Sequence, residues 1–188
     1  MNKTKYTHII VDMLYDFIDG SLACSNAENA VKKSIEYINA HPHEKVLYVC
    51  DCHPYNHSSF KDYGGIWPAH CVNGTRGGSI HNSYFSNIKE EDNRPSNNNI
   101  YLKGTNVAQE QYSGYEAINS KKEFIHSDCE KNIIISGIAT EYCIKNTALD
   151  FLNNGFKVTI IRDGLGYVDK NGHEAALNEM QELGIEII

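Results

Sequence analysis

The sequence predicts an α/β protein in which a mainly parallel sheet of roughly six strands is covered by helices on both faces. Three observations support this fold class: six short apolar runs, segments with helical periodicity between them, and residues typical of helix ends beside those segments. Strands that alternate with helices are joined by right-handed crossovers, so neighbouring strands are expected to run parallel.

Six stretches of the chain have the composition of strands. Each is short and apolar and contains valine or isoleucine, the residues that favour buried strands. They are His8–Met13, Lys45–Cys50, Asn99–Lys103, Asn132–Ile138, Lys157–Arg162 and Ile185–Ile188.

Three longer segments predict helices. The first has an apolar stripe at helical spacing. The second begins at Thr140, a residue suited to the N-cap position, and the third is followed by Gly184, which suits the left-handed position after a helix. The three segments are Ala27–Ala40, Thr140–Asn154 and Asn171–Leu183.

Length and charge limit the class of protein and its partners. The chain has 188 residues and a formal net charge of −7, and an acidic surface attracts neither nucleic acid nor anionic membranes. This length suits one domain, which we expect to span residues 1–188. No apolar run approaches the roughly 20 residues that a membrane helix needs, and the N-terminal stretch lacks the features of a secretory signal.

The six cysteines are scattered through the chain and form no CxxC pair. A chain of this length can bury a core without disulfides. We therefore expect reduced thiols and a cytoplasmic enzyme.

The segment after the second strand is rich in potential metal ligands. Asp51, His53, His57 and His70 all lie in the stretch from Val49 to Cys71. Carboxylate and imidazole groups suit zinc, iron or manganese, and the Asp-x-His spacing places two ligands on the same side of an extended chain. A single histidine here would be read as a surface residue, but Asp51, His53 and His70 together predict a divalent metal site.

Chemically useful residues also stand at the ends of four predicted strands. Asp12 follows the first, Asp51 the second and Lys103 the third, while the fourth leads into the helix that carries Cys143. Each alone could be an ordinary loop, surface or core residue. Sites in open parallel sheets form beyond the carboxyl ends of the strands, so their convergence on one edge favours a catalytic site.

Cys143 is the candidate nucleophile. It falls in the first turn of a predicted helix, where the helix dipole is expected to stabilise a thiolate and to lower the thiol pKa. Backbone N–H groups of the same turn suit an oxyanion hole. Asp12 suits the role of proton acceptor, and Lys103 suits the role of holding that carboxylate and the thiolate in place.

The order of motifs along nearly the whole chain resembles the nicotinamidases, which are cysteine hydrolases of the isochorismatase-like superfamily. A GIATxxC motif alone would indicate only the superfamily, whereas the full set is specific. The motifs are VDMLYDF (Val11–Phe17), GSLA (Gly20–Ala23), DCHPYNHSSF (Asp51–Phe60), WPAHCVNGT (Trp67–Thr75), LKG (Leu102–Gly104), YSGYEA (Tyr112–Ala117) and SGIATEYCIKNTALD (Ser136–Asp150).

The resemblance implies a three-layer α/β/α fold and the hydrolysis of nicotinamide to nicotinate and ammonia in NAD salvage. By position, Asp12 would be the general acid and base, Lys103 would support it, and Cys143 would form a thioester. The amides of Ala139 and Cys143 would form the oxyanion hole, with a cis peptide bond between Ile138 and Ala139.

The resemblance also implies the substrate contacts. Asp51, His53 and His70 would hold one divalent ion in contact with the pyridine nitrogen. Phe17 and Trp67 would stack on the ring, and Tyr112 would line the pocket. Core packing is the alternative interpretation of these aromatic residues.

Three features depart from the family pattern or leave it open. Leu14 stands where many relatives have glutamine, so any polar contact of that glutamine is absent. A fourth metal ligand is unsettled, because His57 and Asp62 are both placed to supply one. Tyr142, directly before the proposed nucleophile, is expected to tune the pocket.

Two other functions remain open from the sequence. A sister hydrolase acting on another small amide or ureido compound would generally lack the Asp-x-His…His set, so metal content discriminates it. A non-enzymatic binding module would have no need for Asp12, Lys103 and Cys143. The sequence leaves the native metal and a homo-oligomeric state undecided.

Overall fold

The computed structural model describes residues 5–188, in which six strands form one parallel sheet in the order β3-β2-β1-β4-β5-β6. The predicted α/β class and strand number are therefore confirmed. The strands are β1 Tyr6–Val11, β2 Lys45–Asp51, β3 Ile100–Lys103, β4 Asn132–Gly137, β5 Lys157–Leu165 and β6 Glu186–Ile187.

The largest differences from the predicted strands are at β1 and β5. β1 ends at Val11 because Asp12 adopts a left-handed conformation with φ +52°, which removes it from the ladder. β5 continues to Leu165 because its pairing resumes after an irregularity, with Gly137 of β4 opposite Leu165.

Helices cover both faces of the sheet. They are α1 Tyr15–Ile18, α2 Ala27–Ala40, α3 Ser83–Ser86, α4 Lys145–Asn153 and α5 Lys170–Glu182. The apolar residues of α1 and α2 join one buried cluster, and those of α4 and α5 join a second cluster on the opposite face. The architecture is thus the three-layer α/β/α arrangement that the resemblance implies, with the sheet as the middle layer.

The segment predicted as one helix over Thr140–Asn154 is different at its start. Residues Thr140–Ile144 form a π-helical turn, and α4 follows it. Thr140 is not the N-cap: Ala139 holds that position, and the Thr140 hydroxyl donates instead to the carbonyl of Gly166 at 3.0 Å. The threonine therefore joins the turn to the loop after β5. At the end of α5, Gly184 has the expected left-handed conformation, with φ +96°.

The segment between β2 and β3 contains little regular structure. It holds α3 and two short 3₁₀ turns, Lys61–Tyr63 and Glu91–Asn93. A loop of this length usually carries function. None of the helices within residues 5–188 has the length and apolar character needed to cross a bilayer. All six cysteines have free thiols.

His8 is a buried imidazole in the middle of the sheet. Its Nε2 lies 2.9 Å from the hydroxyl of Ser136 on β4, and its ring packs edge-on against Tyr37. Burial, with a smaller contribution from His41, lowers the pKa of His8 to about 3. The folded protein therefore keeps this ring neutral at pH values where an exposed histidine is charged.

We predict that His8 makes the fold sensitive to acid. Below pH about 6.5 the unfolded chain binds a proton at His8 that the folded chain refuses, so stability falls as the pH drops from about 6.5 toward 3. His8→Gln, which cannot titrate, should lose less stability than the parent between pH 6.5 and 4.5 in urea unfolding. Exposed His43 provides the control, since His43→Gln should follow the parent. Parallel curves for the parent and His8→Gln would contradict this origin.

Candidate active site

The carboxyl edge of the sheet brings the predicted residues of four strands together. Asp51 and Lys103 are the last residues of β2 and β3 and are directly paired in register. Asp12 follows β1, and β4 leads through Gly137 into the turn that carries Cys143. Since β1 and β4 are neighbours from which the chain winds in opposite directions, the site lies at the switch point where open α/β sheets bind ligands.

The backbone of Asp12 fixes the direction of its side chain. Its N–H donates to the carbonyl of Val49 at 2.8 Å, and its Oδ1 accepts from the N–H of Asp51 at 2.8 Å. Together with the left-handed conformation, these contacts place the carboxylate across the end of β2. Asp12 is fully buried.

Lys103 is the centre of the charged cluster. Its Nζ lies 2.9 Å from Asp12 Oδ2, 2.5 Å from Asp51 Oδ1 and 3.3 Å from the sulfur of Cys143. Only 1% of Lys103 is exposed. The ammonium group therefore contacts all three other residues of the cluster in a site without solvent screening.

The two carboxyl groups differ strongly in acidity. Burial and the neighbouring charge of Asp51 raise the pKa of Asp12 to about 6, although Lys103 opposes the rise. Burial would also raise the pKa of Asp51, but Lys103 and His53 outweigh it, so that pKa lies below its usual range. The same carboxylates outweigh burial at Lys103 and hold its pKa well above the ordinary value. Asp51 is thus a fixed anion, whereas Asp12 can take up and release a proton near neutral pH.

The expected low pKa of the Cys143 thiol is wrong for this resting site. Full burial raises that pKa well above its ordinary value, and Asp12 and Asp51 add to the rise while Lys103 opposes it. The helix start proposed from the sequence is also a π turn rather than an α-helix. The raised pKa therefore favours the thiol form of Cys143 over the thiolate in this site.

The turn before Cys143 presents backbone donors to the pocket. The peptide bond between Ile138 and Ala139 is cis, as the resemblance implies. Within residues 5–188 the Ala139 N–H has no hydrogen-bond acceptor. That donor is therefore available to an oxygen atom of a bound molecule.

The three predicted metal ligands also meet at this edge. One ligand atom from each of Asp51, His53 and His70 lies within 4.8 Å of the others, and all three residues are buried. His53 Nδ1 is 2.9 Å from the carbonyl of Gly104, while its buried Nε2 lies 3.4 Å from Asp51 Oδ2 and has no well-formed hydrogen bond among residues 5–188. His70 Nδ1 is likewise held by the carbonyl of Pro68 at 2.8 Å. Ligand histidines are typically oriented in this way through their second ring nitrogen.

Neither candidate for a fourth ligand joins this cluster. The ring of His57 lies 4.2 Å from that of His53, but its nitrogens contact the hydroxyl of Ser59 at 2.7 Å and the carbonyl of Gln109 at 3.1 Å. Asp62 is exposed on a 3₁₀ turn. Both choices left open by the sequence therefore lie outside the group of three in this structure.

A single pocket joins the two halves of the site. The three aromatic residues predicted for substrate binding share it with Cys143 and with two of the predicted metal ligands, Asp51 and His70. The indole N–H of Trp67 donates to the Tyr112 hydroxyl at 3.1 Å, and Tyr142 packs edge-on against Trp67. The residues that line this pocket are Phe17, Leu22, Cys24, Asp51, Trp67, His70, Glu110, Tyr112, Ala139, Tyr142, Cys143 and Val168.

Sequence reasoning missed some of these wall residues. Leu22, Cys24, Glu110 and Val168 come from loops that approach the pocket only in the folded chain. Leu22 stands in the GSLA motif, which carried no predicted site role, and the other three stand in no pattern that predicts a site. Leu14 is fully buried beside the pocket-facing helix α1, so the polar contact expected to be absent is replaced by apolar packing.

The chain is similar in sequence and fold to known hydrolases. The sequence model of the isochorismatase domain family matches residues 107–188 of this chain. A nicotinamidase/pyrazinamidase from Mycobacterium tuberculosis is 29% identical over 189 residues, covering 96% of each chain. A crystal structure of the pyrazinamidase of Pyrococcus horikoshii in complex with zinc has a TM-score of 0.83 and 33% identity over 98% of both chains. PnC1 from L. infantum in complex with nicotinate has a TM-score of 0.79 and 27% identity over 98% of this chain and 92% of its own.

The sheet order and the buried cysteine, aspartate and lysine at its carboxyl edge define an isochorismatase-like hydrolase. Within that superfamily, the chain belongs to the nicotinamidase/pyrazinamidase family.

We predict that Lys103 is required for stability as well as for chemistry. Lys103→Met would leave the carboxylates of Asp12 and Asp51 side by side without a counter-charge, and loss of one partner from a buried ion pair costs about 3–5 kcal/mol. The free energy of unfolding, measured in urea with a chelator present, should fall by that amount at pH 8. It should fall less at pH 5, where protons can replace the missing charge.

Lys145→Met is the matched control for this measurement. Lys145 forms a solvent-exposed ion pair with Glu179 at 3.1 Å, and such pairs contribute at most about 1 kcal/mol. Equal losses in the two variants would contradict the central role of Lys103.

Proposed function

We propose that this protein hydrolyses nicotinamide to nicotinate and ammonia through a thioester on Cys143. The observation that carries the proposal is one pocket with aromatic walls that is lined both by Cys143 and by the predicted metal ligands Asp51 and His70. Such a pocket suits a flat ring with a carboxamide and a metal-binding nitrogen. The relatives described above are nicotinamidases and pyrazinamidases, which supports the assignment.

Asp12 starts the reaction by taking the proton of the Cys143 thiol. With a pKa of about 6, its carboxylate is available as a base near neutral pH. The sulfur forms a bond with the carboxamide carbon, and the electron pair of the C=O bond moves to oxygen. Lys103, 3.3 Å from the sulfur, stabilises the negative charge on the thiolate as the proton leaves. The N–H of Ala139 and that of Cys143 are proposed to bind the resulting oxyanion.

Ammonia leaves when the proton returns from Asp12. The amide nitrogen receives that proton, the C–N bond breaks as the C=O bond re-forms, and the acyl group stays on sulfur. A water molecule then attacks the thioester while Asp12 accepts its proton. The C–S bond breaks as the C=O bond re-forms, the sulfur regains a proton from Asp12, and nicotinic acid leaves and ionises to nicotinate in solution. Asp12 thus serves as acid and base in turn while Lys103 remains charged throughout.

We propose that Asp51, His53 and His70 hold one divalent ion that is zinc, iron or manganese. The fit rests on three ligand atoms from buried residues that converge, and on the Nε2 of His53, which faces Asp51 and has no well-formed hydrogen bond among residues 5–188. When bound, the ion supplies a positive charge that fixes the pyridine nitrogen of the substrate. Phe17, Trp67 and Tyr112 are proposed to hold the faces and edge of the ring so that its carboxamide meets Cys143.

The biological setting follows from this activity. Conversion of nicotinamide to nicotinate belongs to NAD salvage. We infer a single domain, since every strand from Tyr6 to Ile187 belongs to one sheet. Three further points remain predictions from the sequence. They are the cytoplasmic location, the lack of nucleic acid and membrane partners, and a possible homo-oligomer.

The decisive experiment measures ammonia and nicotinate released from nicotinamide by the purified protein, with elemental analysis of its metal. We expect turnover that a strong chelator reduces and added metal restores. Metal-loaded protein that formed no nicotinate would contradict the assignment and would favour a hydrolase of another small amide.

We predict that Cys143→Ala removes turnover, by several orders of magnitude, because the thioester cannot form. Folding and metal content should be largely retained, since Cys143 is not one of the three predicted metal ligands and belongs to no strand. Cys129→Ala is the control, because Cys129 lies outside the pocket and should keep activity. Appreciable hydrolysis by Cys143→Ala would exclude Cys143 as the nucleophile.

A further inference from the structure

Asp16, on the short helix α1, has a carboxylate that joins segments far apart in the sequence. Its Oδ2 accepts from the N–H of Cys71 at 2.7 Å, and its Oδ1 accepts from the N–H of Ser21 at 3.2 Å. Two glycines pack directly against it: a Cβ added to Gly77 would lie 2.0 Å from Oδ2, and one added to Gly20 would lie 2.4 Å from Oδ1. The carboxylate therefore occupies a slot with no room for larger neighbours.

The segment held by Asp16 contains His70. Cys71 follows His70 directly and adopts a left-handed conformation, with φ +48°, which is unfavourable for a residue other than glycine. On the other side of His70, the carbonyl of Ala69 accepts from the Ser21 hydroxyl at 2.7 Å. The backbone is therefore fixed on both sides of His70 by groups from residues 16 and 21.

Helix α1 is itself a firm support for this contact. The N–H of Asp16 donates to the carbonyl of Gly77 at 3.0 Å. The N–H of the preceding residue, Tyr15, donates to the carbonyl of Ser79 at 3.1 Å. The position of the Asp16 carboxylate is therefore set by contacts that do not involve His70.

We propose that Asp16 is a positioning residue for the metal site: through the N–H of Cys71, it fixes the direction in which His70 presents its Nε2. The inference rests on the metal site of the proposed function and adds a residue that does not touch the ion. A hydrogen bond to a charged acceptor is stronger than one to a neutral group, which explains a carboxylate at this place. Groups that orient metal ligands from outside typically change metal affinity by about 10- to 100-fold.

The test measures the dissociation constant for Zn²⁺, by competition with a chromophoric chelator, in the full-length protein and its variants. Asp16→Ala should bind Zn²⁺ about 10- to 100-fold more weakly than the parent. Asp16→Asn should lie between them, because one oxygen still accepts a hydrogen bond. Asp19→Asn is the matched control. Asp19 directly follows the same helix, and its exposed carboxylate pairs with Arg76 and makes no contact with Cys71. The Zn²⁺ affinity of Asp19→Asn should therefore equal that of the parent.

A second readout separates positioning from general stability. The visible absorption spectrum of the Co²⁺-loaded protein reports ligand geometry, and Asp16→Asn should change it while the urea midpoint of the metal-free protein stays near that of Asp19→Asn. If Asp16→Ala does not fold, Asp16→Asn and Ser21→Ala carry the same test from both sides of His70. Parent-like Zn²⁺ affinity and Co²⁺ spectra in folded variants would overturn the proposal.

The outcome is independent of catalysis. A parent protein that bound no Zn²⁺ would overturn both the metal assignment and the role of Asp16, whereas nicotinamide hydrolysis by that protein would leave the Cys143 mechanism standing. A parent protein that bound Zn²⁺ but did not hydrolyse nicotinamide would contradict the proposed substrate. The role of Asp16 would then still be decided by the Zn²⁺ affinities of its variants.

Discussion

The rest of the site depends on the ion pairs that the buried ammonium group of Lys103 forms with Asp12 and Asp51. Two carboxylates and a thiol converge at the ends of β1, β2 and β4 without solvent, and the repulsion between them must be offset from within the protein. Lys103 can contact all three because β3 pairs with β2 in a register that places its last residue beside Asp51. The sheet topology thus supplies the charge balance.

The same lysine separates the chemistry of the two carboxyl groups. Asp51 receives positive charge from both Lys103 and His53, so it stays ionised and suits metal coordination. Asp12 is more completely buried and faces the negative charge of Asp51, so its pKa rises to about 6 and it suits proton transfer. Two residues of one type acquire different functions because their neighbours differ.

The sequence could predict what depends on chain direction and spacing. Parallel strands end on one edge, so Asp12, Asp51 and Lys103 could be placed together from the strand pattern alone. The acidity of Cys143 could not be predicted, because it depends on full burial and on two carboxylates from other strands. The prediction of Thr140 as the N-cap was wrong for a related reason, because its hydroxyl donates to a carbonyl in the loop after β5. The contact of Asp16 with Cys71 could not be predicted either, because the two residues are 55 positions apart in the sequence.

These contacts imply that the proposed metal-binding half of the site is fixed from two directions. At one end of the ligand segment, Asp51 is held by Lys103 and so belongs to the catalytic cluster. At the other end, His70 is held through Cys71 by Asp16, next to the pocket residue Phe17. A shift of the segment at either end would change the distance between the metal ligands and Cys143. Since a flat substrate must reach both at once, the spacing between them is the property that this fold keeps constant.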